Sequence, residues 1–151
     1  MNIETPNNTA GTLEFKSGVL CSILTSSEGI NAASNFVIYG TEGTLTLNDP
    51  NTFGGPVLLR SKAESEPREM PLNHAFTSDM RGLGAVDLAY AIRNNRKPRT
   101  VSDMPLHVLE AALGICQSSE SGKAYVMTSA CDRPEPLAPG YTEYPEMVFD
   151  I

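Results

Sequence analysis

The stretch FVIYGTEGTLTLNDPNTFGG, residues 36–55, determines how the first half of the chain is interpreted. It contains four glycines, which raises the question of a phosphate-binding loop. A dinucleotide fingerprint needs G-x-G-x-x-G directly after a strand and at the start of a helix, because the helix N-terminus holds the pyrophosphate. Gly40 and Gly43 instead separate two strand-like runs, FVIY and TLTL, and no helical pattern follows them. The stretch therefore predicts a β-hairpin in which glycine supplies a positive φ.

Further strands are predicted on both sides of this hairpin. Residues 12–16 (TLEFK) and 19–27 (VLCSILTSS) indicate another hairpin, with Ser17-Gly18 as a two-residue turn. Residues 56–60 (PVLLR) follow a Gly-Gly break and read as a strand. Residues 61–71 are charged and contain prolines, which predicts an exposed loop.

The second half of the chain is helical. Residues 82–94 carry apolar side chains on two stripes, which predicts a helix covered on both sides. Residues 103–121 form a second helical pattern, with Ser102 as N-cap and Gly122 as C-cap. Residues 123–129 (KAYVMTS) predict a closing strand. This order predicts an α+β domain, with a mostly antiparallel open sheet and helices packed on one face.

Composition narrows the class of protein. The 151 residues are expected to form a single domain, 1–151, with a C-terminal tail at 138–151. The formal net charge of −7 argues against a nucleic-acid partner. No apolar run reaches the length of a membrane span, and the N-terminus is too polar for a signal peptide. Three cysteines without C-x-x-C spacing argue against a zinc site and favour a reduced, cytoplasmic protein.

The best site candidate from the residues alone is the segment NHAFTSDMR, residues 73–81, which leads directly into the first helix. Polar side chains clustered in a loop before a buried helix are typical of binding sites, although many such loops are ordinary surface. The candidate substrate-binding residues are His74, Phe76, Asp79 and Arg81. No catalytic or metal-ligating set can be assigned.

Other chemistry-bearing residues have simpler interpretations. His107 and Glu110, three positions apart on the second helix, are expected to form a partly exposed pair. Cys116 is expected in the apolar stripe of that helix as a core residue. A basic cluster, Arg93, Arg96, Lys97 and Arg99, follows the first helix. It either complements the negative helix end or contacts an anionic surface.

Four segments taken together resemble the C-terminal domain of the glucose–fructose oxidoreductase/inositol dehydrogenase (Gfo/Idh/MocA) family. They are GTLEFKSGVLCSI, FVIYGTEGTLTLNDPNTFGGPV, RGLGAVDLAYAIRNNRKPR and LHVLEAALGICQSSESGKAYVMT, and the resemblance covers residues 5–137. It implies a domain that shapes the substrate pocket and mediates oligomerisation in an NAD- or NADP-dependent enzyme. The implied substrates are sugars, inositols and related polyols, and the implied reaction is hydride transfer.

The chain does not contain every motif of that family. Neither G-x-G-x-x-G nor the Glu-Lys-Pro segment with its lysine is present, and the Asp-x-x-x-His stretch from the start of the substrate domain is missing as well. In the family these motifs precede the matching segments, so the chain is expected to be a fragment that neither binds the cofactor nor catalyses the reaction by itself. A freestanding, non-enzymatic binding or interaction domain derived from the family is the alternative.

The residues also predict self-association. Two helices joined by a short connection are expected to cover the same sheet face, which leaves the other face open. Both faces of residues 19–27 carry apolar side chains, including Leu20 and Leu24 on one of them. A contiguous apolar patch usually marks an interface, so we expect a homo-oligomer formed through the open sheet face around these two leucines.

Overall fold

The computed structural model describes residues 6–27, 29, 36–50, 54–72, 81–100 and 102–136. It has the α+β fold predicted from the sequence, with antiparallel sheets and two helices. The chain divides into two compact units, the first formed by residues 1–32 and 100–134, and the second by residues 33–99 and 135–151.

The elements follow one another in the order that the sequence predicts for most of the chain. They are β1 (Asn8–Glu14), β2 (Leu20–Ser26), β3 (Phe36–Tyr39), β4 (Gly43–Leu47), β5 (Val57–Ser61), β6 (Arg68–Met70), α1 (Leu83–Arg93) and α2 (Asp103–Ser121). The strands form a two-stranded sheet, β1-β2, and a four-stranded sheet, β3-β4-β5-β6, where the sequence predicted one.

The β1-β2 hairpin of the first unit closes through three loop residues and not through the predicted two. The backbone N–H of Gly18 donates to the Phe15 carbonyl at 2.8 Å, and the N–H of Phe15 donates to the Val19 carbonyl at 2.9 Å. Gly18 has a φ of 85°, in the left-handed region. This is a three-residue hairpin loop with a glycine bulge, which needs one positive φ and places it at its last residue.

Helix α2 packs on one face of this hairpin. Ile115 lies directly over Gly11 of β1, and Cys21 and Ile23 of β2 share that half-buried face. The helix has the predicted bounds, and Gly122 ends it as expected in a left-handed conformation. Ser102 occupies the N-cap position, but its side chain does not cap the helix and instead donates to Asp103 at 3.3 Å.

The predicted closing strand is wrong. Residues 124–136 have no regular secondary structure and pair with no described strand. The backbone N–H groups of Thr128 and Ser129 donate to the carboxylate of Glu110 on α2. Because the helix side chain supplies these acceptors, the segment follows α2 and does not join a sheet.

The second unit contains the predicted hairpin of residues 36–55 as strands β3 and β4. Its turn is Thr41-Glu42, and the Gly40 N–H donates to the Gly43 carbonyl at 2.8 Å. The expected positive φ is wrong, because neither glycine is in the left-handed region. Gly43 is needed for a different reason: a Cβ there would lie 2.5 Å from the Arg60 carbonyl oxygen of β5.

Strand β6 lies within the residues that were predicted to be an exposed loop. It pairs with β5 at the edge of the sheet, with Met70 opposite Val57. Charged residues such as Arg68 and Glu69 are tolerated there because one side of an edge strand faces solvent. The turn before it is fixed by Glu64, which accepts from the Ser61 hydroxyl at 2.8 Å.

Helix α1 also belongs to the second unit. It has the predicted bounds within a residue at each end, with Gly82 before it and Asn94 after it. The prediction that α1 is covered on both sides is wrong, because Ile92 is 73% exposed although Ala91 is buried. Among the described residues of this unit, α1 makes no close contact with a strand.

Candidate functional site

Most of the predicted substrate-binding residues cannot be placed. His74, Phe76 and Asp79 lie outside the described residues. Arg81 is described: it is exposed and lies directly before Gly82, which precedes the first turn of α1. The role of this loop in substrate binding therefore stays a prediction. Arg81 lies where the sequence predicts it, just before the first helix.

Two arginines of the basic cluster bind a buried carboxylate. The Asp87 side chain accepts from Arg96 at 2.7 Å, from the Arg99 guanidinium at 2.6 Å and from the Arg99 backbone N–H at 2.7 Å. Burial raises the pKa of Asp87, but the hydrogen bonds from Arg96 and Arg99 outweigh it and lower the pKa to about 2.

This cluster has a structural role. Asn95 turns the chain after α1 with a φ of 50°, and Asp87 then holds the returning residues 96–99 against the helix. The interpretation of Arg96 and Arg99 as complements of the helix end is wrong, since both bind Asp87. Arg93 is exposed and lies in the last turn of α1, where a cation complements the negative end of the helix.

Glu110 on α2 organises a second polar cluster. Its Oε1 accepts from the Tyr125 hydroxyl at 3.0 Å, from the Thr128 backbone N–H at 2.7 Å and from the Thr128 hydroxyl at 2.8 Å. Its Oε2 accepts from the Ser129 backbone N–H at 2.8 Å. The bonds from Ser129 and Thr128 hold the pKa of Glu110 well below its usual range. The bond to Glu110 in turn raises the pKa of Tyr125.

The expected pairing of His107 with Glu110 is wrong. His107 Nδ1 lies 2.9 Å from the hydroxyl of Ser129, so both side chains face the segment after α2. A serine hydroxyl beside an imidazole has the composition of a nucleophile and a base. In this cluster Glu110 accepts from the backbone of Ser129 and does not orient the imidazole, so the three residues lack the arrangement of a triad. They fasten residues 125–129 to the helix.

Cysteine and metal chemistry have little support in the part of the chain that the structure describes. Cys116 is half-buried, so the prediction of a core residue is only partly right, and Cys21 and Cys131 are likewise half-buried free thiols. Residues 6–27, 29, 36–50, 54–72, 81–100 and 102–136 contain no cluster of three histidine, cysteine, aspartate or glutamate side chains that could hold a metal ion. They also contain no helix long and apolar enough to cross a membrane.

One face of the four-stranded sheet is mainly apolar, with Ser61 of β5 and Arg68 of β6 as polar members. The register brings Phe36 opposite Leu47, Ile38 opposite Leu45, Leu45 opposite Leu59, and Val57 opposite Met70. None of these side chains is buried, and Phe36 and Ile38 are each 48% exposed. We call these seven residues the apolar sheet face. A contiguous, incompletely covered apolar surface on regular strands is typical of an interface.

Leu20 and Leu24 lie on the other, smaller sheet. They occupy the face of β2 that is opposite to α2 and are 68% and 80% exposed. Their neighbours on that face include Ser22, Thr12 and Glu14, so the surface is mixed. The two leucines are exposed as expected, whereas the more apolar surface belongs to the four-stranded sheet. Sequence reasoning missed it, although Phe36, Ile38, Leu45 and Leu47 alternate in phase.

No family model matches the chain, and comparison with curated proteins and with solved structures gives no match either.

Proposed function

We propose that the chain is the C-terminal substrate-binding and oligomerisation domain of an NAD- or NADP-dependent oxidoreductase that acts on a sugar, an inositol or a related polyol. The support from sequence is the resemblance of four ordered segments to the Gfo/Idh/MocA family. The support from structure is coarser: an α+β fold with an open antiparallel sheet agrees with what that resemblance implies.

The observation that carries the proposal is the apolar sheet face. Exposed apolar area is costly in water, at roughly 25 cal/mol per Å², and a monomer rarely keeps a large contiguous patch of it. A second copy of the chain offers the same patch, so two-fold pairing of identical faces covers both at once. This supports the assembly role directly and the oxidoreductase role only through the resemblance.

In the proposed enzyme the chemistry is divided between domains. A Rossmann domain that also carries the Glu-Lys-Pro segment would hold NAD or NADP, and the nicotinamide would accept or supply the hydride. This chain contributes substrate contacts from the loop before α1. Arg81 is the first choice among them, because a guanidinium gives several directed hydrogen bonds to hydroxyl or carboxylate oxygens.

A freestanding interaction domain is the second candidate. The same apolar sheet face favours it, since that face serves assembly without any chemistry. The two candidates differ in what accompanies the chain, because only the oxidoreductase requires a dinucleotide-binding domain.

The reading frame encoded immediately upstream distinguishes them. We expect it to encode a Rossmann domain with G-x-G-x-x-G after its first strand and a Glu-Lys-Pro segment. The two parts produced together should then reduce NAD or NADP in the presence of myo-inositol or an aldose. If no such reading frame exists, or if the joined protein transfers no hydride to either cofactor from any polyol or sugar tested, the oxidoreductase assignment is wrong.

A further inference from the structure

The face of the four-stranded sheet opposite the apolar sheet face has a different chemistry. It contains a shallow concavity of about 370 Å³. Its polar lining consists of Tyr39 on β3, Thr44 and Thr46 on β4, and Arg60 on β5. The concavity is open to solvent, and Val37 on β3, Leu58 on β5 and Pro67 form its apolar lining.

The register arranges these side chains in a row. Tyr39 is the cross-strand partner of Thr44, and Thr44 is the partner of Arg60. Adjacent strands are 4.7–4.9 Å apart, so the backbones that carry Tyr39 and Arg60 are roughly 9–10 Å apart. A phenol ring therefore borders one side of the concavity and a guanidinium borders the other, with a threonine hydroxyl between them.

The polar groups of this row are available. Within the described residues, the side chains of Tyr39, Thr44, Thr46 and Arg60 make no hydrogen bond or ion pair. Tyr39 is 82% exposed, so the faces of its ring are open to a ligand. Arg60 differs in this respect from Arg68, Arg96 and Arg99 of the same unit, whose guanidinium groups are paired with Glu64 or Asp87.

Each group selects one part of a ligand. A guanidinium binds a carboxylate through two parallel hydrogen bonds, and such charge-assisted bonds are about twice as strong as neutral ones. An exposed tyrosine ring stacks on a flat ring or on the apolar face of a sugar. We infer that the concavity of Tyr39, Thr44, Thr46 and Arg60 binds a small ring compound that carries a carboxylate. The site is separate from the loop before α1, and its existence does not depend on the proposed oxidoreductase function.

The test uses the complete chain, labelled with ¹⁵N, in solution. Benzoate and glucuronate are the two probes, because they join a carboxylate to an aromatic ring and to a sugar ring respectively. Benzamide and glucose are their uncharged counterparts. We expect at least one carboxylate to shift the amide signals of Thr44, Thr46 and Arg60 in a saturable manner, with an affinity about tenfold or more above that of its uncharged counterpart. Which probe binds more tightly distinguishes an aromatic acid from a sugar acid.

Three variants assign the effect to the row. Arg60→Gln should remove the preference for the carboxylate, and Tyr39→Ala should weaken both probes and their uncharged counterparts. Arg93→Gln removes the same charge from an exposed position on α1 and should leave binding unchanged. The proposal is overturned if neither carboxylate gives a saturable shift, if the uncharged compounds bind equally well, or if Arg60→Gln binds as tightly as the original chain.

Discussion

At the scale of single residues, two carboxylates fix the irregular parts of the chain. Glu110 accepts four hydrogen bonds from residues 125–129, three of them at Oε1. Asp87 accepts from Arg96 and Arg99 and holds the chain after α1. Each accepts from backbone N–H groups that have no helix or strand partner.

Replacing Glu110 tests the first of these. Glu110→Ala removes the acceptors of the Thr128 and Ser129 amides, so their hydrogen exchange should become about tenfold faster or more, and Glu110→Gln should give an intermediate rate because its amide keeps one acceptor oxygen. Glu120→Ala, an exposed position on the same helix, is the control. Unchanged exchange in Glu110→Ala would show that the segment is held by other contacts.

Asp87 gives a prediction about stability and pH. Its pKa is lowered from 3.8 to about 2 in the folded chain, so its contribution of about 2 kcal/mol is complete above pH 3.8 and is lost as the pH falls through 2. Asp87→Asn should therefore lower the free energy of unfolding by roughly 2–4 kcal/mol at pH 7, since it also leaves two arginines without their carboxylate. Urea unfolding measures this, with the exposed Asp132→Asn as control; equal stabilities of the two variants would contradict the account.

A further prediction about a single residue concerns Arg81, and it depends on the proposed oxidoreductase function. In the protein joined to its cofactor domain, Arg81→Ala should raise KM or lower kcat/KM about tenfold or more, because it removes directed hydrogen bonds to the substrate. Steady-state kinetics measures this, with Arg93→Ala as the control for loss of a surface charge. Unchanged kinetics in a folded Arg81→Ala protein would show that Arg81 does not contribute to substrate binding.

At the scale of elements, the sequence predicted what depends on local patterning. The bounds of α1 and α2 follow from helical periodicity and from the residues that end them, Asn94 and Gly122, and five of the six described strands overlap strands predicted from the sequence. Residues 123–129 were misassigned, because KAYVMTS has strand-like composition while its partners are side chains of α2. Strand β6 was missed because an edge position accepts the charges and prolines that usually mark a loop. The hydrogen-bond partners of residues 123–129 and of β6 lie in other segments of the chain, so a local sequence pattern does not reveal them.

Two helix glycines give a matched test at this scale. Gly84 in α1 has open space where a Cβ would be, so Gly84→Ala should raise the stability by up to about 1 kcal/mol. At Gly114 in α2 a Cβ would lie 2.6 Å from the Tyr125 ring, so Gly114→Ala must displace the ring from the helix. Its Tm should fall relative to Gly84→Ala, and the Thr128 amide should exchange faster. The prediction fails if both substitutions are stabilising to the same degree.

At the scale of the whole molecule, the sequence and the structure agree on the fold class and differ on where the apolar surface lies. The sequence drew attention to Leu20 and Leu24, because both faces of residues 19–27 carry apolar side chains. The register of the four-stranded sheet then shows a surface with fewer polar neighbours. The strands of this sheet follow one another along the chain, and it is their register that brings Phe36 opposite Leu47 and Leu45 opposite Leu59. Apolar alternation within one strand does not give that register.

The central claim is that the chain assembles through an open sheet face, and the mass in solution tests it most directly. Multi-angle light scattering at high micromolar concentration should give about 32 kDa or a multiple of it, twice the 16.2 kDa of one chain. Ile38→Glu should reduce this to the monomer if the apolar sheet face pairs, and Leu24→Glu should do so if the β1-β2 face pairs. Ala63→Glu, in the exposed turn after β5, should leave the mass unchanged. A clean monomer of about 16 kDa for the original chain would contradict the account.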